Sequence, residues 1–191
     1  ENPVTAIKDG GVLPKVTKKP KHHAAMRWQD VPAFYADLRG RSAMAAKALM
    51  FTCLTGSRTG EVLGMRWAEV ELEARLWTVP AERMKTDAEH RVPLTDAMMG
   101  ILEPLRAMDS EVVFEGQKRN QPLSNMAMLM QLRRMKVEGV TVHGFRSTFR
   151  DWASEVANAP REVAEMSLSH RVGSEVERAY ARSDLLEKRR L

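Results

Sequence analysis

Apolar positions along this chain follow two different repeats, and the switch between them divides it into parts. Val31, Phe34, Tyr35 and Leu38 recur at three- and four-residue spacing, the stripe of a helix with Asp30 as N-cap and Pro32 in its first turn. A second helix is predicted after Gly40, from Ser42 to about Leu54, and a third opens near Thr59 and carries Glu61, Val62, Leu63 and Met65. The repeat then shortens. Residues 66–72, 76–79 and 91–94 are brief, rich in β-formers and separated by polar turns, which predicts a small three-stranded antiparallel sheet. Its second and third strands are joined through 81–90, and Pro93 assigns the last strand to an edge. Beyond Leu94 helical spacing returns, over about 96–108, 124–137, 144–157, 161–168 and 174–187. Ser174 and Glu177 form a capping-box pattern at the last of these and put Tyr180 on its second turn. The fold class expected is mainly α with a small antiparallel sheet.

Residues 1–24 break both repeats with Pro3, Gly10, Gly11, Pro14 and Pro20, so they read as a linker or extended arm before one domain at 25–191. Lys15, Lys18, Lys19 and Lys21, followed by Arg27 with no acidic residue between, suit a solvated tether first and a strand lying along phosphates second. The start without Met reads as a piece of a longer protein.

Composition narrows the function classes. With 191 residues, 43% of them hydrophobic, the chain can bury one substantial core. Its net charge of +5 suits a polyanionic partner without demanding one. Cys53 is the only cysteine, so no intrachain disulfide can form and a cytoplasmic setting is expected. No apolar run approaches the roughly 18 residues of a membrane span, and no signal-peptide pattern opens the chain.

Four segments carry candidate chemistry. His143 and Arg146, three apart at a helix start, can share a face and converge on one anion; the plain alternative is a surface helix start. Arg58 stands between Gly56 and Gly60 at another helix start, where tight backbone turns bring an anion close to free N–H groups, unless Arg58 simply pairs with Glu61. Lys85 lies in the hairpin connection, where a lysine is ordinarily solvated and would need loop movement to act as an acid. His170 precedes Tyr180 by ten residues. The other tyrosine, Tyr35, belongs to an apolar stripe and reads as a packing residue. A Gly-Lys-Ser/Thr phosphate loop is absent, and the histidines at 22, 23, 90, 143 and 170 form no convincing metal-ligand pattern.

In this order, Arg58, Lys85, His143-x-x-Arg146, His170 and Tyr180 resemble the active-site signature of the tyrosine recombinase, or phage integrase, family. The strings Thr55-Gly56-Ser57-Arg58-Thr59-Gly60-Glu61-Val62-Leu63, His143-Gly144-Phe145-Arg146 and Leu168-Ser169-His170 carry the resemblance. It extends from about residue 25 to the end, and 143–153 is similar to integrases of prophages, satellite phages and genomic islands. One departure stands out: the family usually has glycine where Ser169 precedes the histidine.

The resemblance implies a DNA breaking and rejoining catalytic fold. Tyr180 would attack a DNA phosphodiester, Arg58 and Arg146 would neutralise its oxygens, His143 would act as base or hydrogen-bond partner, Lys85 would protonate the leaving 5′ oxygen and His170 would complete the oxyanion contacts. It implies no cofactor, no metal and no ATP. The partners implied are double-stranded attachment-site DNA, a homotetramer on DNA for the full-length protein (a monomer for the isolated domain), and accessory DNA-bending proteins. Two other readings remain open: relaxation of supercoils by a type IB topoisomerase, and an inactive DNA-binding remnant.

Overall fold

The computed structural model describes residues 23–174, Glu177, Tyr180 and 183–190. The lysine-rich arm, and residues 175, 176, 178, 179, 181 and 182 of the helix predicted over 174–187, therefore lie outside the described residues; that helix does not extend to 187 as expected, since 183–186 are not helical and Glu187–Arg190 form a separate 3-10 turn. Chain entry is through a 3-10 turn, Trp28–Asp30, into α1 (Val31–Arg39); Asp30 holds the N-cap position but makes no side-chain cap hydrogen bond. Helices α2 (Met44–Thr55) and α3 (Thr59–Leu63) follow as the apolar spacing requires.

Helix α2 is apolar around nearly its whole circumference, with Ala45, Ala46, Ala48, Leu49, Met50 and Phe51 all buried, because it is the central element. It packs against α1, α3, α4 (Asp96–Leu102), α5 (Ala127–Arg134) and α6 (Gly144–Glu155). Helix α7 (Arg161–Ser167) follows α6. Among the described residues no helix is long and apolar enough to cross a membrane.

The sheet is antiparallel in the order β1 (Val70–Glu71), β2 (Leu76–Val79), β3 (His90–Pro93), with Trp77 paired to both Val70 and Val92. Pro93 lies on the outer strand β3, as its missing N–H requires. Trp77 is wholly buried and meets Phe51 of α2 at 5.6 Å between ring centroids, which fixes the sheet on the helical core.

Three further boundaries move. The first strand, expected over 66–72, shrinks to two residues because Trp67–Glu69 tighten into a 3-10 turn. Trp67 N–H instead donates to Glu111 O at 3.0 Å, and the Glu69 carboxylate is held by Trp77 Nε1 (3.0 Å) and by Arg83. The helix expected over 96–108 stops at Leu102 and continues as a 3-10 turn, Glu103–Leu105, since Pro104 supplies no N–H to the helical ladder. The helix expected over 124–137 is confined to Ala127–Arg134, and Lys136 beyond it adopts φ 56°. Between α4 and α5, where no element was expected, Val112, Val113 and Phe114 are buried, and Phe114 meets Phe51 at 5.5 Å.

Candidate active site

Helix α2 ends on Gly56, whose φ of 62° is open to glycine without strain. A Cβ there would press on the Leu168 side chain at 2.8 Å, so the close approach of the α2 end to the end of α7 also requires glycine. Between these two helix ends sits Arg146, from the first turn of α6. It is 5% exposed; Nη1 donates to Gly56 O at 2.5 Å and Nη2 to Leu168 O at 2.6 Å. Helix C-termini leave carbonyls without partners and carry partial negative charge, so a buried guanidinium is stabilised where it satisfies two at once.

His170 reaches Arg146 through a particular turn. Ser169 N–H donates to Met166 O (3.0 Å) and His170 N–H to Glu165 O (2.9 Å), the paired bonds of a Schellman motif with Ser169 in the left-handed region at φ 54°. This answers the departure from the family pattern: Ser169 takes the conformation that glycine takes most easily. The His170 ring then lies with Nε2 3.0 Å from Arg146 Nη2 and Nδ1 2.6 Å from Glu165 Oε2. A guanidinium only donates, so Nε2 accepts and Nδ1 carries the proton that the carboxylate takes. Arg150 Nε holds the other Glu165 oxygen at 2.7 Å. Burial pulls the Glu165 pKa up, but the hydrogen bonds from Arg150 and His170 outweigh it and keep the carboxyl below its usual range.

Arg58 leads into α3 and pairs with Glu61: the carboxylate takes Arg58 Nη1 at 2.7 Å and the Arg58 N–H at 2.8 Å. The ion pair weighed as the plain alternative for Arg58 is thus present. Burial first, and then the Arg58 charge, bring the Arg146 pKa down to about 10. His143 occupies the N-cap of α6, exposed and next to this pair. Burial of part of its ring lowers its pKa, and His23, Arg146, Arg58 and His170 push it further the same way. At neutral pH its imidazole is therefore uncharged and free to accept a proton.

Four of the six candidate residues, Arg58, His143, Arg146 and His170, thus come together from three distant stretches of chain. Two do not join them. Lys85 is exposed on the loop between β2 and β3, which is anchored by buried Met84 and by Arg171 Nη2 on Thr86 O at 2.9 Å. Tyr180 is helical and 83% exposed, and among the described residues it makes no hydrogen bond or ring contact. The capping box ahead of it forms, with Ser174 N–H on Glu177 Oε2 at 2.6 Å and Glu177 N–H on Ser174 Oγ at 3.2 Å. Beyond it Asp184 is gripped by Arg91 through two bonds of 2.7 and 2.9 Å.

Sequence reasoning missed three residues here. Arg150 follows Arg146 by one helical turn on the same face of α6 and so left a spacing signal, whereas Glu165, five before His170, meets it only through the turn that ends α7. Buried His90, which hydrogen-bonds to the backbone of Ser167, left none.

The phage integrase family pattern matches residues 25–186, and the chain belongs to that family, the tyrosine recombinases. It is 36% identical over 184 residues to the prophage integrase IntA of Escherichia coli (strain K12), covering 92% of this chain and 44% of that protein. The chain spans less than half the length of the curated relatives it matches. Among solved structures, a lambda integrase tetramer bound to a Holliday junction superposes with a TM-score of 0.65 at 19% identity, over 90% of this chain and 56% of that one. The lambda integrase catalytic core gives 0.59 at 18%, over 80% and 95% respectively. At such identities the likeness shows the fold, which is that of the integrase catalytic core.

Proposed function

We propose that residues 25–191 form the catalytic domain of a site-specific recombinase that integrates or excises a prophage or genomic island. The observation that supports this most is the convergence of Arg58, His143, Arg146 and His170. In the proposed step Tyr180 Oη attacks the phosphorus and its proton passes to His143. The bond from phosphorus to the 5′ oxygen breaks, and Lys85 protonates that oxygen once its loop swings inward. The two guanidinium groups and His170 stabilise charge on the non-bridging oxygens.

The 3′-phosphotyrosine conserves the energy of the broken ester, so a different 5′ hydroxyl reverses the step without ATP, and the arginines supply the neutralisation a metal would otherwise give. The attachment-site DNA, tetramer assembly and accessory bending proteins belong to the same proposal. The integrase relatives favour recombination over supercoil relaxation.

The test begins with protein–DNA adducts trapped by detergent on pooled duplexes and mapped by sequencing. A suicide duplex nicked beside the mapped bond then accumulates covalent complex with wild type and none with Tyr180→Phe. Adduct formation by the Phe variant overturns the assignment of the nucleophile. Arg58→Ala lowers the rate of adduct formation by roughly a hundredfold or more while DNA affinity changes little; equal losses in both would mark Arg58 as an ordinary phosphate contact.

A further inference from the structure

The segment that enters the domain does not simply lead into α1. Ala24 O accepts from both Thr141 N–H (3.0 Å) and Thr141 Oγ1 (3.2 Å), Met26 O accepts from Thr148 Oγ1 at 2.6 Å, and Trp28 Nε1 donates to Glu155 Oε2 at 2.7 Å. These bonds lay residues 24–28 along α6 from its approach to its far end. The fit is tight: a Cβ on Gly144 would overlap the Ala24 carbonyl oxygen, and the neighbouring backbone at Ala25 would lie within 2.9 Å of it. Glycine between His143 and Phe145 is therefore required by the strap that crosses it.

At the end of this strap the His23 ring lies against the His143 ring, with centroids 4.5 Å apart and planes inclined by 59°. His143 is at a helix N-cap with no side-chain cap bond to hold it. Its surroundings are Arg146 on its own helix, Arg58 ahead of α3, His170 beyond α7 and His23 on the strap, and of these only His23 meets it ring to ring.

We infer that His23 is a positioning residue for His143, so that the segment entering the domain governs the orientation and water exposure of the group that takes the tyrosine proton. The inference rests on the proposed role of His143. It gives residues 23–28 a part in the chemistry, through one ring contact and the Thr141 bonds.

Two measurements on the whole chain test it. In an NMR titration of imidazole signals, with His143 assigned by its loss in His143→Gln, His23→Phe keeps the ring contact and removes a charge that lowers the His143 pKa. The His143 titration then moves to higher pH than in wild type; coincident curves overturn the inference. On the mapped suicide duplex, His23→Ala slows adduct formation about tenfold, a fraction of what a positioned base contributes, with DNA affinity unchanged, and His23→Phe recovers most of the rate. An unchanged rate in His23→Ala overturns the inference, and so does a Phe variant as slow as the Ala variant. Wild-type adduct formation by His143→Gln instead overturns the catalytic reading of His143, and the inference falls with it.

Discussion

Ser169 is held at φ 54°, where a side chain crowds the following carbonyl and costs a residue other than glycine on the order of 1–2 kcal/mol. The position is fixed by the two bonds of the turn that ends α7 and presents His170 to Arg146. Ser169→Gly removes the crowding but returns backbone freedom to the unfolded chain, worth about 0.5–1 kcal/mol. The balance predicts a stabilisation of about 0.5–1 kcal/mol, read as a rise of roughly 2 °C in a thermal melt; a lower melting temperature would show that the turn is not strained. Neighbouring glycines have the opposite requirement. Gly56 and Gly144 face Leu168 and the Ala24 carbonyl, so Ala at either is expected to displace a whole segment.

At the scale of elements, β3 and the end of α7 are joined through His90, which is 8% exposed and hydrogen-bonds to the backbone of Ser167. Burial, aided by the charges of Arg189 and Arg146, brings its pKa down to about 4 against the opposing pull of Glu61 and of the Ser167 bond. The unfolded chain takes up this proton near pH 6.5, whereas the folded one resists it until about 4. Stability due to His90 is thus intact above pH 6.5 and lost as pH falls toward 4, by about 3 kcal/mol in all. His143, also lowered, adds in the same direction. Denaturant unfolding between pH 7 and 5 should show a slope that flattens in His90→Gln; an equal slope in that variant removes His90 as its source. No periodicity announces such a residue, because its meaning comes from an α7 carbonyl more than seventy positions away. The same holds for His23 on His143. What the sequence does carry is local: α6 and α7 lie within two residues of their expected bounds, since capping, spacing and Gly or Pro breaks act over a few positions. Errors came where a distant partner decided, as when Glu111 took the Trp67 N–H from the first strand.

For the whole molecule, Arg146 has two duties that a catalytic motif alone does not reveal. Besides facing the site it closes the C-terminal ends of α2 and α7, which come from opposite parts of the chain, and it does so while nearly fully buried. Removing it leaves the carbonyls of Gly56 and Leu168 without donors in a dry setting, at about 1–3 kcal/mol each. Arg146→Ala is therefore expected to destabilise the fold by about 3 kcal/mol and to lower the melting temperature by roughly 10 °C. Arg146→Lys keeps the charge, but a single ammonium on a flexible stem cannot hold both carbonyls in the plane of a fork, so an intermediate loss follows. A melting temperature for Arg146→Ala equal to wild type would mean that the two helix ends do not depend on the guanidinium. The consequence for kinetics is direct. A lost cleavage rate in Arg146→Ala would mix the proposed transition-state stabilisation with a slackened junction between α2, α6 and α7, so it is read beside the melting temperatures of the alanine and lysine variants.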